Sequence, residues 1–245
     1  MNDSNPIDLL FGGMEKLGPG SDADTRHVLG LLPEQQRRVV VDAGCGTGRQ
    51  TLVLAKDLGI PIDAVDSYEP FLNDLSRRAA RQGVARLIRP HCMNMKDISV
   101  VFPHIDLLWS EGAAYNIGFA AALSAWAPAI NSGGCAVISE MSWMHDRIPG
   151  AVREFFDAEY AGMRTVPQNL EAARLAGYEV LATHTLSRET WMKGYYDVLE
   201  PRARLLLHHP EAAVREFAAG MIREVEIFGL SENSYAYVFY VLGRP

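Results

Sequence analysis

Val39–Gly48, VVVDAGCGTG, decides the fold. Three β-branched residues run into an acid and a glycine-punctuated turn, as expected of a strand buried on both faces of a parallel sheet. A helical pattern follows over residues 50–58, so the turn sits where strand passes into helix, the ligand crevice of a doubly wound fold. Gly44, Gly46 and Gly48 fall in a GxGxG spacing, with Asp42 just before them. A dinucleotide fingerprint needs GxGxxG, and a phosphate-gripping loop needs GK[ST]; neither is present, which disfavours an NAD-dependent oxidoreductase and an NTP site.

Outward from this stretch, strand and helix patterns alternate. Strands are expected over residues 61–66, 86–90, 105–109 and 135–141, the last after the turn Asn131-Ser132-Gly133-Gly134. Helices are expected over 70–82, with Leu72, Leu75 and Ala79 on one face, and over 119–130. This rhythm predicts a parallel sheet with right-handed crossovers. Helices over 151–160 and 169–176 lead to a sixth strand, 178–186, and the run 235–242 closes the chain as a seventh. A tight hairpin would join those last two strands in a few residues, yet about 45 intervene, with helical patterns over 191–208 and 210–227. The expected architecture is α/β: one domain over 1–245, a seven-stranded, mostly parallel sheet, a helical cover over 1–36, and a helical insertion over 187–232 serving as lid or homodimer contact. In the cover, Ser21 and the acids after it are placed to cap a helix carrying Val28, Leu29 and Leu32.

A length of 245 residues with 48% hydrophobic content suits one sizeable core, and a net charge of -7 with scattered basic residues argues against nucleic acid. Cys45, Cys92 and Cys135 suggest neither a disulfide framework nor zinc, and the histidines lack ligand spacing, so no metal is expected. The start, MNDSNPIDLLFGG, has no basic n-region, and no apolar run approaches the ~20 residues of a membrane span. A cytoplasmic location is expected.

Asp66 ends the second strand about 20 residues beyond the glycines, where a carboxylate is placed to accept both hydroxyls of a ribose. The combination resembles motif I of the class I S-adenosylmethionine-dependent methyltransferases, a hydrophobic strand followed by D/E-x-G-x-G-x-G. That resemblance implies S-adenosylmethionine as cofactor and S-adenosylhomocysteine as product. It places Asp42 beside the methionine portion and Asp66, with Ser67 after it, at the ribose. It implies an adenine contact at Asn94-Met95, where Asn replaces the family's Asp but still offers an accepting oxygen, with Asp97 as rival. Cys45 is read as a small buried residue of the cofactor turn, and Ser110 as a further cofactor contact. WSEGAAYNIGF, Trp109–Phe119, together with GPGSDADTR, SEMSW and YAYVFYVLG, is similar to little-characterised bacterial relatives of the ubiquinone and menaquinone methylating enzymes, a likeness that implies no substrate.

Glu111 lies at the carboxyl end of the fourth strand, on the rim where an acceptor meets a sulfonium. It reads as a proton acceptor, as an anchor for a cationic substrate or for the cofactor ammonium, or as a first-turn acid at a helix dipole. Tyr115 and Asn116 are candidates for positioning the acceptor, and Trp143, Tyr195 and Tyr196 for lining its chamber; Trp191 and Tyr195, four apart, also fit one packed helical face. The expected function is methyl transfer to the oxygen, nitrogen or carbon of a small molecule, the alternative a non-catalytic S-adenosylmethionine-binding regulator.

Overall fold

The computed structural model describes residues 5–245; the first four residues of the expected cover lie outside them. The strands are β1 (Val40–Ala43), β2 (Ile62–Asp66), β3 (Ile88–Cys92), β4 (Ile105–Ser110), β5 (Ile130–Trp143), β6 (Arg164–Thr165), β7 (Glu179–Thr185) and β8 (Tyr235–Gly243). Seven follow the order β3-β2-β1-β4-β5-β8-β7, and β6 pairs with the end of β5. All pairings are parallel except those of β8, which runs antiparallel to β5 and β7. The order turns at β1, with β2 on one side and β4 on the other, so the crevice of the sheet opens at the carboxyl ends of β1 and β4. Pairing of Asp42 with Trp109 sets the glycine turn beside the segment that begins at Ser110.

The cover contains α1 (Pro6–Phe11) and α2 (Asp22–Leu29), and the crossovers α3 (Arg49–Leu58), α4 (Glu69–Arg81), α5 (Ile98–Val101) and α6 (Phe119–Trp126). Then come α7 (Gly150–Glu159) and α8 (Val166–Leu175), and the insertion holds α9 (Arg188–Trp191), α10 (Asp197–Leu206) and α11 (Ala212–Leu230). Ser21 caps α2 as its sequence predicts, accepting from Asp24 N. Leu72, Leu75 and Ala79 are the buried face of α4. The inserted helices pack on α1 and α7 of the same chain, with the buried rings of Trp191, Tyr196 and Phe228 between α9, α11 and the sheet.

Several expectations need correction. The third strand begins two residues late because Ala85–Leu87 forms a 3-10 turn, and Pro90 is tolerated there because β3 is an edge. The helix from Phe119 stops at Trp126, ahead of Pro128. Asn131–Gly134, expected as a turn, is instead the irregular start of a long β5, with the register slipping from Ile130 to Cys135 opposite Ile105 and Leu107. The pattern over 191–208 is not one helix: Gly194 takes φ +75° and its N–H is received by Asp197 Oδ1 at 2.7 Å, which breaks the run at 192–196. Trp191 and Tyr195 therefore do not share a helical face.

Candidate functional site

The glycine turn is shaped by packing as well as by the space above it. Gly44 has φ +73°, and a Cβ on it would stand 2.2 Å from Ala113 Cβ; Gly48 has φ +85°, and a Cβ there would meet Leu75 Cδ1 at 2.1 Å. No L side chain fits either position without moving its neighbour. Gly44 N and Cys45 N both donate to Val65 O, and Gly46 N donates to Asp66 Oδ2 at 2.9 Å, so β2 holds the turn in register. Above it lies a cavity of about 600 Å³, walled by the three glycines, Cys45, Asp66, Ser67, Asn94, Met95, Glu111, Tyr115 and Asn116 among others. The structure thus brings most of the expected cofactor set into one wall.

Within that wall, Asp66 accepts from Gly46 N and Tyr68 N, each at 2.9 Å, which leaves further lone pairs for a ligand. Burial pushes its pKa up, opposed by those backbone bonds. Asn94 caps a 3-10 turn, its Oδ1 accepting from Lys96 N at 2.9 Å, so its oxygen is partly engaged locally. Its rival Asp97 is exposed and does not line the cavity. Burial drives the Cys45 thiol well above its usual pKa, in keeping with an inert side chain.

Two expected cofactor contacts do not reach the cavity. Asp42 is fully buried beneath the turn, where Thr51 Oγ1 donates at 2.5 Å and Gln50 Nε2 at 3.3 Å, both from the first turn of α3. Burial raises its pKa to about 7, with Glu111 adding to the rise and the Thr51 and Gln50 bonds opposing it. Asp42 therefore fastens β1 to α3. Ser110 is likewise buried and donates to Ala43 O at 2.9 Å, which closes the β1–β4 seam.

Glu111 does line the cavity, but its carboxylate is occupied. It pairs with Arg49 and accepts from Thr25 Oγ1 and Trp109 Nε1, each at 2.8 Å, with both charged side chains largely buried. Arg49 also donates to Thr25 Oγ1 and pairs with Asp22, so Glu111, which the sequence leaves open as a proton acceptor, a ligand anchor or a first-turn acid, stands at the centre of a clamp joining β4, α3 and α2. The segments GPGSDADTR and WSEG meet here. Sequence reasoning passed over Arg49. A cation at the start of α3, on the unfavourable positive end of the helix dipole, is the signal that it has a nearby anion.

The loop between α1 and α2 forms a strap over the turn. Thr47 Oγ1 donates to Met14 O at 3.2 Å, Arg78 to Met14 O at 2.6 Å, and Lys16 Nζ to Lys193 O at 2.8 Å, which carries the strap to the insertion. Burial lowers Lys16 to a pKa of about 8, helped by the Arg49 charge. None of these strap residues carries a local sequence signal, because each contact spans more than thirty positions.

Beyond the strap lies a second cavity of about 380 Å³, enclosed mainly by aromatic side chains. Tyr195 and Tyr196 line it as expected, and Tyr115, 44% exposed, borders both cavities with its ring 6.2 Å from Tyr160. Trp143 does not: it is packed edge-on against Phe156 and Tyr235, with Arg153 over its face, and so backs the chamber wall. Two acids, Glu140 buried and Glu224 half-buried, went unread in the sequence. Glu224 accepts from Tyr196 OH at 2.6 Å, and Glu140 from Tyr160 OH at 3.0 Å and from Met141 N. Glu140 is legible in hindsight as a charge inside an apolar strand; burial lifts it to about 7.

Residues 40–134 match a family model described as a methyltransferase domain. The chain is similar to a trans-aconitate 2-methyltransferase of Azoarcus sp. (strain BH72), 30% identical over 189 residues, 74% of this chain; it spans 63% of that relative's length. Among solved structures, it superposes on a SAM-dependent methyltransferase from Thiobacillus denitrificans in complex with S-adenosyl-L-homocysteine, with TM-score 0.82, 20% identity and 100% of each chain covered. It also superposes on the [4+2]-cyclase SpnF, with TM-score 0.77 and 17% identity over 98% of this chain and 92% of that one. At those identities the likeness is one of fold. Among the described residues, no helix is long and apolar enough to cross a membrane.

Proposed function

We propose that the chain is a class I S-adenosylmethionine-dependent methyltransferase, as the methyltransferase-domain match over residues 40–134 supports, and that it transfers a methyl group from S-adenosylmethionine to a small-molecule acceptor seated in the aromatic chamber. The observation that supports this most is the contiguity of the two cavities: Leu17, Gly18, Pro19, Gly112 and Tyr115 line both. A cofactor in the first would then face an acceptor in the second across a shared waist.

The residues present suit the cofactor, since the turn excludes side chains where a ligand backbone must approach and Asp66 keeps lone pairs open to the cavity. When bound, S-adenosylmethionine supplies a methyl carbon on an already activated sulfonium, so alignment and exclusion of water can carry much of the rate. Asp66 and Ser67 would hold the ribose, and Asn94 and Met95 would border the adenine. The Glu111–Arg49–Thr25 clamp and the Met14–Pro19 strap keep the waist narrow and dry. Tyr115 orients the acceptor, and the hydrogen that a hydroxyl or amine acceptor sheds leaves as a proton to solvent or to a chamber acid. Glu111 is a positioning residue in this account.

Trans-aconitate, the compound in the relative's name, is a polycarboxylate and a poor match for a chamber that carries its own acids. The test is to incubate the purified protein with S-adenosylmethionine and a panel of hydroxyl, amine, carbon-acid and carboxylate acceptors, trans-aconitate included, and to measure S-adenosylhomocysteine by mass spectrometry. Formation above the acceptor-free background is expected. Cofactor binding with no product on any acceptor would favour the regulator instead.

A further inference from the structure

The second cavity is polarised in a way that bears on what enters it. Its charged wall residues are Glu159, Glu224 and Arg223. Arg223 is half exposed and pairs with Glu226 at 3.2 Å, so its charge is largely answered outside the chamber. Glu224 is turned inward, one oxygen receiving the Tyr196 hydroxyl at 2.6 Å, with no cation among its hydrogen-bond or ion-pair contacts. Glu140 adds a third acid behind Tyr160. Much of the remaining wall is aromatic, with Trp191, Tyr195, Tyr235 and Tyr237 all less than a tenth exposed.

Two polar atoms of that wall, Trp191 Nε1 and Tyr235 OH, are buried with no hydrogen-bond partner in the protein. Both residues are 3% exposed. Both atoms are closed to solvent, so they sit behind the surface of the chamber, out of reach of an occupant, and the inward-turned acid that the wall presents is Glu224. Aromatic faces attract cations, and an acid with no positive partner repels an anion while holding an ammonium.

We propose that the chamber selects an apolar-bodied amine, bound as its ammonium against Glu224 within the rings of Trp191, Tyr195, Tyr235 and Tyr237, and discriminates against carboxylates of the same shape. The inference rests on the reading of this chamber as the acceptor site, but concerns binding alone and leaves open which atom is methylated. Tyr196 fixes the Glu224 carboxylate, and the waist at Tyr115 separates the ammonium from the cofactor cavity.

The test compares a matched pair of probes, 3-methoxyphenethylamine and 3-(3-methoxyphenyl)propionate, which share an apolar aromatic body and differ in the sign of charge. Titrations with and without S-adenosylhomocysteine are followed by tryptophan fluorescence and calorimetry. The amine should bind at least about tenfold more tightly than the acid, the scale of one charge-assisted contact. Glu224→Gln should erase most of that preference, while Tyr196→Phe, a milder change that keeps the carboxylate, should reduce it only a few fold. Equal affinities, tighter binding of the propionate, no saturable binding of the amine, or a preference unchanged in a folded Glu224→Gln protein would each overturn the proposal. Binding of S-adenosylhomocysteine is read separately in the same titrations, so loss of the cofactor reading and loss of the amine reading give different results.

Discussion

The two cavities of this molecule are made in opposite ways. The first is built mostly from the carboxyl ends of four strands, β1 to β4, and the turns that leave them, closed over by α1 and the strap, so its backbone does much of the work. The second is assembled mainly from side chains of β5, α7, α9, the kink at 192–196, α11 and β8, with Leu17 of the strap and Tyr115 at its edge. A backbone-built site tolerates little substitution and keeps one ligand; a side-chain-built site can be refilled. That division fits a common cofactor with a variable acceptor, and it can be attacked experimentally from either side.

The largest effect is expected where the two halves are joined. Glu111 is the only acid bonded to Arg49, Thr25 and Trp109 together among the described residues. Glu111→Ala would leave a mostly buried guanidinium paired only to the exposed Asp22, a change of about 3–5 kcal/mol for breaking a buried pair. Chemical denaturation should report that loss, and cofactor affinity and turnover should fall together. A stable variant with only kcat reduced would restore Glu111 as a proton acceptor and weaken the contrast between the two cavities.

Next is the backbone of the first cavity. Gly44→Ala combines a left-handed residue, about 1–2 kcal/mol, with an overpacked contact on Ala113, about 1–3 kcal/mol. Stability should drop by roughly the sum, and S-adenosylhomocysteine binding should become undetectable by calorimetry. Asp66→Ala should cost less in stability but roughly 2–3 kcal/mol of cofactor affinity, the worth of charge-assisted hydrogen bonds, because it also frees Gly46 N and Tyr68 N. Unchanged affinity there would remove the ribose assignment.

The same contrast explains what the sequence discloses. VVVDAGCGTG, the alternation of strands and helices, the cap at Ser21 and the buried face of α4 are local patterns, and the structure bears them out. Asp42 was misplaced because a motif tells which residue is required and not which way its side chain turns; Thr51 and Gln50 draw it under the loop. Lys16, Thr47 and Leu17 were invisible because their contacts belong to the strap. Tyr195 and Tyr196 reach the chamber through a kink at Gly194 that helical spacing conceals. The acids Glu140 and Glu224 needed the fold to reveal which strand and helix faces look inward.

The smallest effect concerns the acid behind the second chamber. Glu140 has one oxygen bonded to Tyr160 OH and Met141 N, and the other buried without a partner. Burial raises its pKa from 4.5 to about 7, so the folded chain binds a proton there that the unfolded chain has already released. Stability from this group is therefore full below about pH 4.5 and is lost as pH rises to about 7. Glu140→Gln removes the titration, so the difference in unfolding free energy between variant and wild type should shift in the variant's favour by up to about 3 kcal/mol from pH 4.5 to 7.5 and stay nearly flat above. Comparing the two proteins cancels the contribution of Asp42, which titrates in the same direction beneath the first cavity. A constant difference across that range would mean that solvent reaches Glu140, and that the chamber wall at Tyr160 is more open than its packing implies.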